Sequence, residues 1–259
     1  MGLNLDAIKA KLNQLNKSDE KKNNLWKPEA GKTRVRIVPY VHRKENPFLE
    51  LYFHYDIAKR SMLSPVSFGN ADPVVEFAEK LKKTGDKDEW LMGRKIEPKM
   101  RTYVPVIVRG KEAEGVKFWG FGKTIYTELL SIISDPDYGD ITDLMNGRDI
   151  DVEFTPAEGA GQYPKTAIRV KPNTTPATED KAIAEKIMNQ PVITDIFPEP
   201  TYDELEKALQ EWMNPENADS DVEETSNATT ENTATETKTE TATTKKTDVA
   251  SAFDDLFNN

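Results

Sequence analysis

Residues 102–122 read TYVPVIVRGKEAEGVKFWGFG. Two runs rich in β-branched and aromatic residues, 102–110 and 116–122, flank the turn-like GKEAEG at 110–115. That order is the signature of two paired strands with a short connection. Upstream, TRVRIVPYV (33–41) sets Thr33, Val35 and Ile37 against Arg34, Arg36 and Val38 before Pro39, so one face is apolar and the other basic. FLELYFHYDI (48–57) alternates as well, with Phe48, Glu50, Tyr52 and His54 opposite Leu49, Leu51, Phe53 and Tyr55. Downstream, RDIDVEF (148–154) and KTAIRVKP (165–172) form another pair, joined by TPAEGAGQYP. Helical spacing of apolar residues appears at 73–83, 123–134, 179–189 and 201–213. Five to six strands in short hairpins with helices added predict a mainly β, α+β chain, built as a small β-barrel or a curved sheet.

Composition bounds what such a fold can do. The 259 residues hold no cysteine and only two histidines, His42 and His54, which excludes disulfides, thiolate metal sites and most triad chemistry. No apolar run approaches the ~20 residues that span a bilayer, and the N-terminus lacks a signal-peptide core, so a cytoplasmic protein with no membrane role is expected. Charge is uneven along the chain. Residues 195–259 carry 17 acidic and 4 basic residues, whereas the preceding 194 carry 28 acidic and 31 basic. A slightly basic body on an acidic tail suits either a polyanion binder with a detachable or self-masking tail, or an unrelated domain carrying a solubilising tail.

Both ends carry their own signals. Residues 3–15 place Leu5, Ile8, Leu12 and Leu15 on one helical stripe, beside Lys9 and Lys11. A lone helix of that length is marginal in water, so residues 1–24 are expected to use a partner surface, either the chain's own domain or a neighbouring copy in self-association. From Pro215 to Thr247 the chain is Thr, Glu, Asn, Ala and Ser without an aromatic residue, a composition expected to stay disordered. Residues 248–259 then bring back Phe253, Leu256 and Phe257 among Asp254 and Asp255, in the pattern of a partner-docking peptide.

Motifs with catalytic meaning fail on spacing. GFGKT (120–124) would need a glycine where Lys117 stands to form a phosphate loop. DPDYGD (135–140) has Gly139 one position early for a calcium loop, and Asn146 stands where the closing glutamate belongs. Asp149 and Asp151 share a strand face, yet no second acidic cluster makes a two-metal nuclease. No enzyme, metal or cofactor is expected.

Basic residues interleaved with aromatics on strands remain. Lys32, Arg34 and Arg36 stand near Tyr52 and Tyr55; Arg94, Lys99, Arg101, Lys117 and Lys123 stand around Tyr103, Trp119 and Phe121; Arg169 and Lys171 follow Tyr163. Cations that track phosphates, with rings that stack on unpaired bases, are what single-strand binding needs. A duplex reader would instead carry a recognition helix dense in Arg, Asn and Gln.

LWKPEAGKTRVRIVPYV (25–41), PFLELYFHYDI (47–57), KIEPKMRTYVPVIV (95–108), KFWGFGKTIYTELLSII (117–133) and the terminal FDDLFNN resemble, in this order, the T-even-type phage single-stranded DNA-binding, helix-destabilising proteins. The spacings PxxxxxRxRxxP (28–39) and FGKxIY (121–126) are compatible with that family. The resemblance implies an OB-fold core (25–214) with an inserted subdomain near 58–98. It also implies a DNA groove holding Lys99, Arg101, Tyr103 and Trp119, with Phe121 as a further candidate. The partners implied are single-stranded DNA, further copies of the chain along it, and the phage polymerase, helicase, helicase loader or primase through the C-terminal tip. The setting implied is the cytoplasm of an infected bacterium.

Two departures stand out. The family's structural zinc, held by one His and three Cys, lacks its ligands at 58–98, so the helix at 73–83 is expected to supply that local core through Val74, Phe77 and Leu81, with Met62 and Leu63 nearby. The family's N-terminal Lys/Arg–Ser/Thr motif for cooperative self-association is absent from MGLNLDAIKAKL, which leaves Leu5, Ile8, Leu12, Lys9 and Lys11 for that role. Three rival readings stay open: an RNA-binding OB-type module or translational regulator, a scaffold acting only through its acidic tip, and, ranked last, a metal-dependent nuclease.

Overall fold

The computed structural model describes residues 24–43, 45–159 and 161–214. The predicted N-terminal self-association helix, the linker at 215–247 and the docking tip at 248–259 lie outside them. The described chain divides into two units: residues 24–51 with 100–198, and residues 52–99 with 199–214.

The first unit is a sheet whose path runs β1 (Leu25–Trp26), β6 (Lys117–Phe121), β5 (Lys99–Val108), β2 (Gly31–Ile37), β7 (Arg148–Thr155), β8 (Lys165–Thr174). All neighbours are antiparallel except β1 and β6. Period-2 alternation sends Val35, Ile37, Val104, Val106, Val108, Trp119, Phe121, Ile150, Val152 and Val170 into one core. Helix α3 (Lys123–Ser134) closes it with Ile125, Tyr126 and Leu129. On the opposite face Ile107 packs with Val38, Val116 and Ala177, and with Ile187 of α4 (Lys181–Met188). A four-residue helix, α5 (Ile193–Ile196), follows.

The barrel that the resemblance implies does not close. Among the described residues no pairing joins β1 to β8, and β1 is only two residues long, so the mixed α+β sheet stays open. Strand signals are local, whereas closure requires two distant edges to meet.

The second unit contains α1 (Pro73–Lys83), α2 (Lys87–Ile96) and α6 (Tyr202–Met213), and the pairing of β3 (Leu49–His54) with β4 (Met62–Leu63) at Phe53–Leu63 and His54–Met62. Each helix start is built into the sequence. Asp72 caps α1 by accepting from the Val74 and Val75 amides, Asp86 caps α2, and Thr201 with Glu204 forms a capping box on α6. Val74, Phe77, Ala78 and Leu81 of α1 pack with Ile57, Ile96, Leu205 and Leu209, as the reading of α1 as a local core anticipated. Helix α2 went unread because Gly93 interrupts it. A Cβ there would come within 2.8 Å of the Ala78 carbonyl, so only glycine lets α1 and α2 approach this closely.

A buried polar cluster completes this unit. His54, Ser64 and Asp72 are all 2% exposed or less. Asp72 Oδ2 accepts from Ser64 at 2.5 Å and stands 2.9 Å from His54 Nε2, while His54 Nδ1 stands 2.9 Å from the Ile96 carbonyl oxygen. Burial works against the Asp72 carboxylate, but hydrogen bonds from His54 and Ser64, the charge of His54 and the Val75 amide outweigh it and lower its pKa.

Candidate nucleic-acid interface

The basic face of the sheet is set by register. Strand β7 lies between β2 and β8, with Asp149 opposite Arg36, Asp151 opposite Arg34 on one side and Arg169 on the other, and Glu153 opposite Lys32. Cations on β2 and β8 therefore face carboxylates on the strand between them. Two clusters result, and they differ in burial.

At Asp149, Arg36 Nη1 approaches Oδ1 at 3.0 Å and Arg109 Nη2 approaches it at 2.8 Å. Arg36 is fully buried, and its terminal nitrogens also donate to the hydroxyl and carbonyl oxygen of Thr175. Arg109 donates further to the carbonyls of Pro176 and Ala177. This cluster ties the sheet to the segment after β8. The expected groove role for Arg36 is thereby corrected: its strand face is basic as read, but residues 175–177 cover its end of that face.

Around Asp151 the arrangement faces outward. Lys32 Nζ at 2.8 Å, Arg34 Nε at 2.8 Å and Lys171 Nζ at 2.7 Å converge on one carboxylate whose side chain is 2% exposed, while the cations are 54%, 48% and 31% exposed. Burial opposes ionisation of Asp151, yet the hydrogen bonds of Arg34, Lys171 and Lys32 overcome it and hold the carboxyl well below the usual carboxylate range. The Arg34 guanidinium is in turn raised by its hydrogen bond to Asp151. Arg169 is exposed in the next strand. Tyr163, 85% exposed, stands in the loop that joins β7 to β8.

A second patch lies on β5 and β6. Tyr103 lies across Gly120, where an added Cβ would meet its Cε1 at 2.6 Å, and its ring packs on Phe197 with 4.9 Å between centroids. Arg101 donates to the Gly120 carbonyl at 3.3 Å. Lys123 is exposed in the first turn of α3. Lys117, 15% exposed at its side chain, pairs with Glu114.

Trp119 and Phe121 correct the reading more sharply. They are 1% and 4% exposed, and Trp119 meets Trp26 and Phe121 edge to face at 5.6 and 4.7 Å. Neither has a face to offer a base; both belong to the core under α3. In the second unit, Tyr55 is exposed, Tyr52 is half-buried and Lys99 pairs with Asp56 at 3.4 Å. Arg94 stands over the exposed ring of Trp90 at 5.3 Å. The predicted docking residues Phe253, Asp254, Asp255, Leu256 and Phe257 lie outside the described residues.

Sequence reasoning missed the roles of Asp151, Asp149, Phe197 and Trp90. The two aspartates carried a usable signal, since they repeat with the same period as Arg34 and Arg36 and carry the opposite charge. Among the described residues no group of three or more His, Cys, Asp or Glu is arranged to hold a metal ion, and no helix is long and apolar enough to cross a membrane. No family model and no curated protein matches the chain.

Proposed function

We propose that the chain is a sequence-independent single-stranded DNA-binding protein of tailed-phage replication, recombination and repair, without catalytic activity of its own. One observation supports this reading above the others: four cations, Lys32, Arg34, Arg169 and Lys171, share one strand face, and the loop joining two of its strands presents the most exposed ring among the described residues, Tyr163. Phosphates track the cations while an unpaired base stacks on tyrosine, and a paired base has no free face to offer. Arg101 and Tyr103 add a second point of contact. The interface in this reading is an open sheet face rather than the wall of a barrel, and Trp119 has no part in it.

The acidic tail completes the mechanism. Tethered to the same chain, residues 215–259 compete for the cationic face at high effective concentration, and DNA displaces them. Release frees Phe253, Leu256 and Phe257 for a polymerase, helicase, helicase loader or primase. The test is fluorescence anisotropy of labelled oligo-dT, a matched RNA and a duplex, with full-length protein and with residues 215–259 deleted. Tight oligo-dT binding that strengthens on deletion, over weak RNA and duplex binding, supports the proposal. RNA binding as tight as DNA binding transfers the site to RNA. Absence of binding by both forms of the protein removes the reading.

A further inference from the structure

We infer that Lys32, Arg34 and Lys171 together form a pre-organised site for one backbone phosphate, and that buried Asp151 is the positioning residue that aims them. The inference rests on the single-strand reading above and deepens it.

The two aspartate clusters differ in what they leave available. Asp149 holds Arg36, fully buried, and Arg109, whose fork is taken up by Asp149 and by two backbone carbonyls. Little donor capacity there remains for a ligand. Asp151 is as buried as Arg36, but the three cations it gathers are a third to a half exposed. Each lysine ammonium stands within ion-pair distance of Asp151 Oδ2 and has donors left for a further acceptor. Arg34 reaches Asp151 through Nε, which leaves the two terminal nitrogens of its fork for another acceptor. Three cations on one carboxylate carry a net charge of two, with Arg169 in register beside them and Glu153 one pair along.

A carboxylate so placed does two opposite things to an anionic ligand. It subtracts one charge from the patch, which weakens attraction. It also fixes three long side chains that would otherwise lose rotamer freedom on meeting the ligand, which strengthens binding. Convergence within 2.7–2.8 Å of a single buried group makes the second effect the larger. The ligand that fits is a tetrahedral phosphodiester, since its two unesterified oxygens accept from several donors at once and its single negative charge is smaller than the positive surplus of the site. Because the three cations surround one point, they neutralise one phosphate, not three.

Salt dependence counts phosphates and so reads this directly. Each phosphate neutralised on a single strand contributes about 0.7 to the slope of log affinity against log salt. Substituting all three cations together (K32Q/R34Q/K171Q) should lower that slope by about 0.7, whereas three separate phosphate contacts would lower it by about 2. Asp151→Asn supplies the sign. Charge counting says that removing the carboxylate strengthens binding; positioning says that oligo-dT affinity falls several-fold. Asp151→Glu keeps the charge but displaces the three cations by one methylene, and should weaken binding likewise. An abasic oligonucleotide of the same length should lose affinity by the same factor in every variant, because the site reads phosphate. Thermal midpoints accompany each variant; if D151N does not fold, D151E and the triple substitution decide. A slope loss near 2, no slope loss, or D151N and D151E both binding as well as the unsubstituted chain overturns the inference while oligo-dT binding itself stands. Failure of the unsubstituted chain to bind oligo-dT overturns the underlying reading as well.

Discussion

Asp149 and Arg36 are partners, yet removing one should cost far more than removing the other. Asp149→Asn leaves a guanidinium at 0% exposure without its counter-charge, and Arg36 Nε already has no hydrogen-bond partner among the described residues. Stranding a buried charge in this way costs about 3–5 kcal/mol. Arg36→Met removes the charge along with its desolvation. Asp149 then keeps Arg109, whose Nε and Nη2 hold it at 2.8–3.2 Å, so no carboxylate is orphaned. What is lost is donation to Thr175, about 1–2 kcal/mol, partly offset by the apolar side chain that replaces the cation. D149N should therefore be less stable than R36M by about 2–3 kcal/mol, a large share of the roughly 5–15 kcal/mol that holds a typical domain together. Urea unfolding followed by circular dichroism gives both midpoints, and equal slopes make them comparable. If R36M is as unstable as D149N, the orphaned-charge argument is refuted.

Trp119→Ala should lose about 3–5 kcal/mol of stability through the cavity it opens under α3, and oligo-dT affinity measured well below its melting point should be unchanged. Tyr163→Ala should do the reverse, keeping the thermal midpoint while losing about 1–3 kcal/mol of binding as its stacking face goes. Asp72 sets a pH dependence. Its folded pKa lies below its unfolded one, so its stabilisation is complete above about 4 and drains away as pH falls through the folded value. Unfolding free energy measured against pH should fall on that acid limb, and Asp72→Asn should flatten it; an unchanged limb would show that Asp72 does not contribute.

The six longer strands and most helices were legible because each is a local pattern: Val35 and Ile37 alternate with Arg34 and Arg36, and α1 repeats its apolar residues every three to four positions, whereas the two-residue β1 and β4 are too short to show one. What failed was which face of a strand is inside. Trp119 and Phe121 share a face with Lys117, but their groove role came from the interleaving of basic and aromatic residues and from the resemblance of KFWGFGK, neither of which says which face is inside. Lys117 sits at the end of β6 and turns its charge to Glu114, while the two rings beyond it go into the core. Arg36 misled for a related reason. Its burial comes from Thr175, 139 residues away, and nothing near Arg36 in the sequence announces a cover from that distance. The basic residues of the interface were legible singly; their convergence on Asp151 depends on a β2–β7–β8 register that only the folded chain displays.

The most direct test of the central claim is a salt titration of oligo-dT binding by the intact chain, with a duplex of equal length alongside, read by anisotropy of the labelled nucleic acid. The account predicts tight oligo-dT binding whose logarithm falls linearly with log salt, with duplex binding weaker throughout. Equal affinity for both nucleic acids, or binding that salt leaves unchanged, would contradict it.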